Sequence, residues 1–296
     1  MADDATDRLR TFSGAVALIT GGASGIGCAL ARALVARGAS VVLADRQLEL
    51  AQKLAAELGE QARALELDVR DPEAFAAVVS DVMQTEGRID YFFNNAGIGI
   101  GGFFEDHTLE DWRYIIDVNL LGVVYGIHCV YPMMLAQGFG HIVNTASMAG
   151  RMAAPGLSGY VATKHAVVGI TRSLRLEAAG RGVRVSAFCP GVIRTEILQD
   201  GGVFGKFVGN LGASLSEAEL ERGRPMNVDA FASAALDRVA ANQEIIILPR
   251  IWRLFDWLNR LFPGLIARLF ARASAGNGSP FQPGPPGSKQ DPPAPA

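Results

Sequence analysis

Seven short apolar runs alternate with six helical stretches along residues 10–249, and a chain built this way has few folds open to it. The runs are 15–20 (AVALIT), 40–44 (SVVLA), 63–67 (RALEL), 89–94 (IDYFFN), 141–145 (HIVNT), 183–188 (VRVSAF) and 244–248 (EIIIL). Several are apolar at consecutive positions, as strands are in a sheet covered on both faces. Helical patterns occupy roughly 25–37, 46–58, 72–86, 108–137, 158–180 and 228–241. Ser24 or Gly25 opens the first of these, and Asp71-Pro72 supplies the third with an N-cap and an N1 proline. Strand–helix–strand repetition requires parallel strands joined by crossovers. The expected fold is therefore α/β: a doubly wound, parallel, seven-stranded sheet with helices on both faces.

No linker interrupts 10–249, which reads as one domain. Beyond it lie a basic amphipathic helical segment, 250–273, and a Pro/Gly-rich tail, 274–296, expected to be disordered because it cannot bury enough surface to offset its ordering entropy. Residues 192–225 form a glycine-studded insertion of the kind that serves as a lid or binding loop. With 27 Lys+Arg against 30 Asp+Glu, the charge balance gives no reason to expect a nucleic-acid partner. Three cysteines (Cys28, Cys129, Cys189) and four histidines are scattered without ligand spacing, so neither a disulfide framework nor a metal site is expected, which suits a reducing compartment. The acidic N-terminus is no secretory signal, and no uncharged apolar run of about 18 residues is apparent, which points to the cytoplasm.

The first strand leads into Thr20-Gly21-Gly22-Ala23-Ser24-Gly25-Ile26-Gly27. Glycines between a strand and a helix allow a tight turn and bring backbone N–H groups against a pyrophosphate, where the helix dipole favours anions. A glycine pattern alone is weak, but this one sits in the first strand–helix–strand unit. Asp45 ends the second strand, where an acid can bind the adenosine ribose hydroxyls and would repel a 2′-phosphate. Arg46 beside it could partly neutralise that phosphate. The balance favours NAD over NADP as cofactor.

With these residues in place the chain resembles the short-chain dehydrogenase/reductase family over about 13–249. Thr20, Gly21, Gly25 and Gly27 match its Thr-Gly-x3-Gly-x-Gly turn, and Asp68-Val69 its adenine-contacting segment. Asn94-Asn95-Ala96-Gly97 matches the motif closing the fourth strand. Ser147, Tyr160 and Lys164 reproduce Ser-x12-Tyr-x3-Lys, and Pro190-Gly191 with Thr195 matches Pro-Gly-x3-Thr. The resemblance implies a Rossmann-type fold, a catalytic set of Asn119, Ser147, Tyr160 and Lys164, and a homo-oligomer. It also implies a dinucleotide site of Gly21, Ser24, Gly25, Ile26, Gly27, Asp45, Arg46, Asp68, Val69, Asn95, Ala96, Gly97, Tyr160, Lys164, Pro190, Gly191, Val192, Ile193 and Thr195. Lys164 would also bind the nicotinamide ribose, and Asn119 would anchor a water relay.

Tyr160 and Lys164 are four apart and share one helix face. A phenol is a poor base at neutral pH unless a nearby ammonium, and the positive nicotinamide, pull its pKa down. Tyr160 would then exchange a proton with the substrate oxygen while Ser147 holds that oxygen. His165 points about 100° away from Lys164 around the helix and reads as structural. His107, His128 and His141 have no companion, and Cys28 and Cys189 read as small buried hydrophobes.

The family builds its substrate walls from three places. Here these supply Ile98, Phe103, Met148, Met152, Leu157, Phe204 and Phe207, an apolar set suited to a bulky hydrophobic secondary alcohol or ketone, steroid-, retinoid-, terpenoid- or aryl-like, better than to a sugar or carboxylate. Arg151 and Lys206 would contradict that if they pointed inward. The segment Ile251–Phe270 repeats apolar pairs at helical spacing, with Trp252 and Trp257 among them, and residues 250–272 carry five arginines against Asp256. It reads as an in-plane anchor holding the protein peripherally on the inner face of a membrane, or as a helix that packs on a neighbouring subunit or covers the substrate mouth. Two other functions stay open: an NADPH-dependent ketoreductase, such as one acting on 3-oxoacyl groups, and a nucleotide-sensing membrane scaffold without turnover.

Overall fold

The computed structural model describes residue 9 and residues 11–198, 205–209 and 224–275. Seven strands form one parallel sheet: β1 (Val16–Thr20), β2 (Ser40–Asp45), β3 (Ala62–Glu66), β4 (Tyr91–Asn94), β6 (Gly140–Thr145), β7 (Val183–Pro190) and β9 (Ile245–Leu248). Their order is β3-β2-β1-β4-β6-β7-β9. The winding therefore reverses between β1 and β4, and the crevice beyond the C-terminal ends of those two strands is where such sheets bind ligands.

Helices α1 (Gly25–Val35), α2 (Leu48–Leu58), α3 (Pro72–Glu86), α4 (Leu109–Ile116), α5 (Gly122–Gln137), α6 (Ser158–Glu177) and α7 (Val228–Ala240) flank the sheet. On one side Leu30 and Leu34 of α1 pack with Phe231 and Leu236 of α7. On the other, Phe75 and Val82 of α3 meet Val130 and Met134 of α5. Both faces of β1 and β4 are thus buried, which is why these strands are apolar without alternation. Asp71 caps α3 as its sequence announces, accepting from the amides of Glu73 and Ala74 at 2.9 and 3.0 Å, and Gly87 ends the helix at φ +74°.

Several features depart from expectation. The stretch 108–137 is not one regular helix: a π-turn at Asp117–Leu121 separates α4 from α5 and carries Asn119. That stretch is also long and apolar enough, by length and composition, to cross a membrane, so the expected absence of such a run does not hold. Asn119, the glycines and His128 disguise it in the sequence. Its buried face, Val123, Gly126, Val130 and Met134, belongs to the core. A second small sheet pairs β5 (Gly99–Gly101) in parallel with β8 (Gly205–Phe207), tying the insertion to the segment after β4. Such short glycine-containing strands carry no periodic signal. Finally, 250–275 forms two helices, α8 (Ile251–Leu261) and α9 (Pro263–Ala275), broken at Pro263. Residues 274–275 belong to α9, and the rest of the expected disordered tail lies outside the described residues, as do 199–204 and 210–223 of the expected lid.

Candidate active site

The crevice holds a cavity of about 450 Å³ that runs from Asp45 and Asp68 at one end to Met148, Leu157 and Trp252 at the other. The glycine turn forms its floor. Gly21 adopts φ +63°, and a Cβ on Gly27 would come within 2.0 Å of the Gly21 carbonyl oxygen, so α1 can begin this close to β1 only with glycine there. Gly27 therefore acts by packing behind the turn, while Gly21, Ser24, Gly25 and Ile26 line the cavity itself. The Ser24 side chain makes no capping hydrogen bond, leaving the first amides of α1 facing the cavity.

Asp45 is buried at the end of β2. Its carboxylate accepts from the amides of Ala23 at 3.0 Å and Gln47 at 2.9 Å, which holds it rigidly beside the turn. Arg46 donates to the Tyr114 hydroxyl at 3.2 Å. Asp68 is engaged by Arg70 through both carboxylate oxygens, and that hydrogen-bonded guanidinium holds its pKa below the usual range. Val69, Asn95, Ala96, Gly97, Pro190, Gly191, Val192, Ile193 and Thr195 complete the wall expected from the sequence. Asn95 does so while stitching three strand ends together: its side chain donates to the Thr20 carbonyl at 3.1 Å and accepts from the Thr145 hydroxyl at 3.1 Å.

Ser147, Tyr160 and Lys164 meet at the middle of the cavity. Ser147 follows β6, and its hydroxyl oxygen accepts from the amide of Ala149 at 3.1 Å. The same hydroxyl acts on the Tyr160 phenol in the direction that lowers its pKa. Lys164, buried one turn further along α6, donates to the Thr145 carbonyl at 2.9 Å and lies 5.6 Å from the Tyr160 ring centre. The electrostatics differ from expectation. In the protein by itself burial raises the phenol's pKa, with the Ser147 hydroxyl acting in the opposite direction, and burial lowers that of Lys164 to about 8. Desolvation is the largest influence on each because both groups sit in the same low-dielectric wall.

Asn119 does not line the cavity. Its amide is engaged mainly by Ile98, accepting from that residue's N–H at 2.8 Å and donating to its carbonyl at 2.9 Å, and it also donates to the Thr163 hydroxyl at 3.5 Å. The π-turn presents it there, and a Cβ on Gly97 would sit 3.2 Å from Asn119 Oδ1 and 3.3 Å from Lys164 Nζ. Asn119 thus clamps the loop that Lys164 also touches.

At the substrate end Ile98, Met148, Met152, Leu157 and Phe207 line the cavity as expected. Phe103 does not. The chain turns away at Gly102, whose amide donates to the Gly156 carbonyl at 2.8 Å, and Phe103 leaves the wall. Phe204 lies outside the described residues. Arg151 and Lys206 pair elsewhere, with Asp256 and Asp111 respectively, so neither brings a cation to the wall. Gln47, Leu67, Arg70, Tyr114, Val118, Thr145 and Ala146 also line the wall without having been singled out from the sequence, and Trp252 reaches it from the segment that the sequence offers as a cover for the substrate mouth. Trp252 comes from α8, and a Cβ on Gly191 would meet its indole nitrogen at 2.1 Å. His141 and Cys189 are buried away from solvent, and burial pushes the histidine pKa down to about 3 and the thiol up to about 12.

The model of the family described as short chain dehydrogenase matches residues 15–202. A cyclohexanol dehydrogenase of Acinetobacter sp. (strain SE19) is 44% identical over 193 residues, covering 64% of this chain and 77% of that protein. A 3-alpha-(or 20-beta)-hydroxysteroid dehydrogenase of Mycobacterium tuberculosis (strain ATCC 25618 / H37Rv) is 42% identical over 182 residues, 62% of this chain and 70% of that one. Among solved structures, a short chain dehydrogenase/reductase from Burkholderia phymatum in complex with NAD superposes with a TM-score of 0.74 at 28% identity, covering 86% of this chain and 96% of its own.

Proposed function

This chain belongs to the short-chain dehydrogenase/reductase family, and we propose that it moves hydride between NAD(H) and a hydrophobic secondary alcohol or its ketone. It is an oxidoreductase acting on alcohols and ketones. The observation that carries the finer reading is the meeting of Ser147, Tyr160 and Lys164 halfway along one cavity, between the glycine turn and an apolar pocket.

The residues present fit a dinucleotide. The open amides of α1 suit a pyrophosphate, and the braced Asp45 carboxylate suits ribose hydroxyls and opposes a 2′-phosphate, which is the argument for NAD. Lys164 has three N–H donors and gives one to Thr145, so it can also hold the nicotinamide ribose. When bound, the nicotinamide supplies the carbon that accepts or returns hydride. In the oxidative direction Tyr160 Oη takes the proton of the substrate hydroxyl, and in reduction it returns one to the developing alkoxide. Ser147, which lines the same cavity as the phenol, holds the substrate oxygen in line with it. Lys164 stabilises the phenolate, and Asn119 acts at one remove by fixing the loop at Gly97 and Ile98.

The substrate reading rests on Met148, Met152, Leu157, Phe207 and Trp252 around the reacting groups, and on the pairing of Arg151 and Lys206 elsewhere. The relatives named for cyclohexanol and hydroxysteroids support the same class. Self-association is part of the proposal and is supported by membership of a family whose enzymes commonly form oligomers. The test is nicotinamide absorbance with purified protein, NAD or NADP, and a panel running from cyclohexanol to a 3-hydroxysteroid and small polar alcohols. Reduction of NAD with the hydrophobic members supports the reading; preference for the polar members overturns the substrate class.

A further inference from the structure

Helix α8 is docked with its polar side inward. Trp252, Asp256 and Asn259 share one face. Trp252 packs on Gly191, Asp256 pairs with Arg151, and Asn259 donates to the Arg151 carbonyl at 3.1 Å. A helix that covers a globular core normally turns its apolar stripe inward. Here Leu254, Trp257 and Leu261 lie on the far side and are 52%, 55% and 52% exposed. Phe262, Leu265 and Leu269, which follow in the chain, are likewise 52%, 56% and 51% exposed. So many large apolar side chains exposed on two successive helices differ from the single hydrophobics that dot any soluble surface.

The charges identify the occupant. Residues 250–272 carry five arginines and a single acid, Asp256, which Arg151 already holds at two points and Arg260 approaches at 3.5 Å. At about 100° per residue, Arg253 and Arg260 fall between the docked face and the apolar band. The chain as a whole is acidic at −3, so this cationic rim is local to the two helices. A symmetric contact with a second copy would set arginines against the same arginines.

We propose that α8 and α9 lie in the plane of an anionic lipid surface, the apolar band in the acyl boundary and the arginines at the phosphates. Because α8 also gives Trp252 to the cavity, docking sets one wall of the active site about one helix diameter, ~10 Å, from lipid. A hydrophobic alcohol partitioned in that lipid would then meet the site without crossing water. That last consequence rests on the substrate class proposed above; the lipid contact itself does not.

The experiment uses the full chain with vesicles of phosphatidylcholine alone and of phosphatidylcholine mixed with phosphatidylglycerol. Wild type is expected to co-sediment with the mixed vesicles, less with the neutral ones, and to be released by salt. Leu254→Asp with Trp257→Asp should weaken sedimentation on the mixed vesicles about tenfold, and Arg253→Glu with Arg260→Glu by a similar factor on those vesicles only. Unchanged NAD binding in both variants certifies their fold. The proposal is overturned if wild type stays in the supernatant, or if both variants sediment as wild type does. A change of size in solution for the first variant, with lipid binding unaltered, would overturn it in favour of a contact between copies. Turnover in solution tests the enzymatic reading and sedimentation tests this one, so each can fail alone.

Discussion

Arg151 and Asp256 stand 105 residues apart in sequence and are joined by two hydrogen bonds of 2.9 and 2.7 Å, with side chains only 6% and 11% exposed. The arginine follows Ser147 by four residues and the aspartate sits on α8, so this pair fastens the C-terminal helix to the wall of the cavity. Removing one partner leaves a buried charge without its counterion. Asp256→Ala should therefore cost about 3–5 kcal/mol in chemical denaturation. Trp252→Ala, which keeps the pair, should leave stability closer to wild type and raise turnover of bulkier alcohols relative to cyclohexanol.

Tyr160→Phe deletes the proton donor and acceptor while keeping the ring beside Lys164. Turnover should fall at least about 100-fold, the usual loss for a general acid–base group, with NAD affinity little changed. Stopped assays and equilibrium binding by cofactor fluorescence separate the two. Retained turnover in the phenylalanine variant would remove Tyr160 from the chemistry.

The carboxylate of Asp45 is held toward the cavity by the amides of residues 23 and 47. Asp45→Ala should tighten NADPH relative to NADH by about tenfold, or about 1.4 kcal/mol, because a like charge no longer faces the 2′-phosphate. Paired titrations with the two reduced cofactors measure it. An unchanged ratio would move cofactor choice to Arg46 and its neighbours.

His141 shows how the core responds to pH. The Ser186 hydroxyl gives its proton to the Gln243 carbonyl at 2.7 Å, so it can only accept from His141 Nε2 at 2.9 Å. The imidazole is then neutral, with Nδ1 lacking a partner among the described residues. Protonation would add an N–H with nothing to receive it, and burial lowers the pKa from 6.5 to about 3. The unfolded chain binds more protons between those values, so stability should fall as pH drops from 6.5 toward 3, by up to about 1.4 kcal/mol per unit. Denaturation midpoints of wild type and His141→Gln across that range should show the steeper slope in wild type.

The sheet, the glycine turn and the Tyr160–Lys164 pair were legible in the sequence because each depends on residues close together along the chain. Short consecutive apolar runs and period-3.6 patterns, a turn of eight residues and an i, i+4 spacing are local facts, and the parallel topology follows from them by connection rules. Even the apolar character of the substrate end was visible in Met148, Met152 and Leu157. What only the tertiary structure decided involves partners far apart in sequence. Nothing near Arg151 announces Asp256, nothing near Gly191 announces Trp252, and Phe103 leaves the cavity because Gly102 bonds to Gly156. The directions of the Tyr160 and Lys164 shifts also belong here, since they are set by how deeply the fold buries both groups rather than by their spacing. Residues 250–272 sit between the two cases. Their amphipathic pattern is local and could be read, but the face turned inward was chosen by a long-range ion pair that outcompeted the apolar stripe for the protein surface.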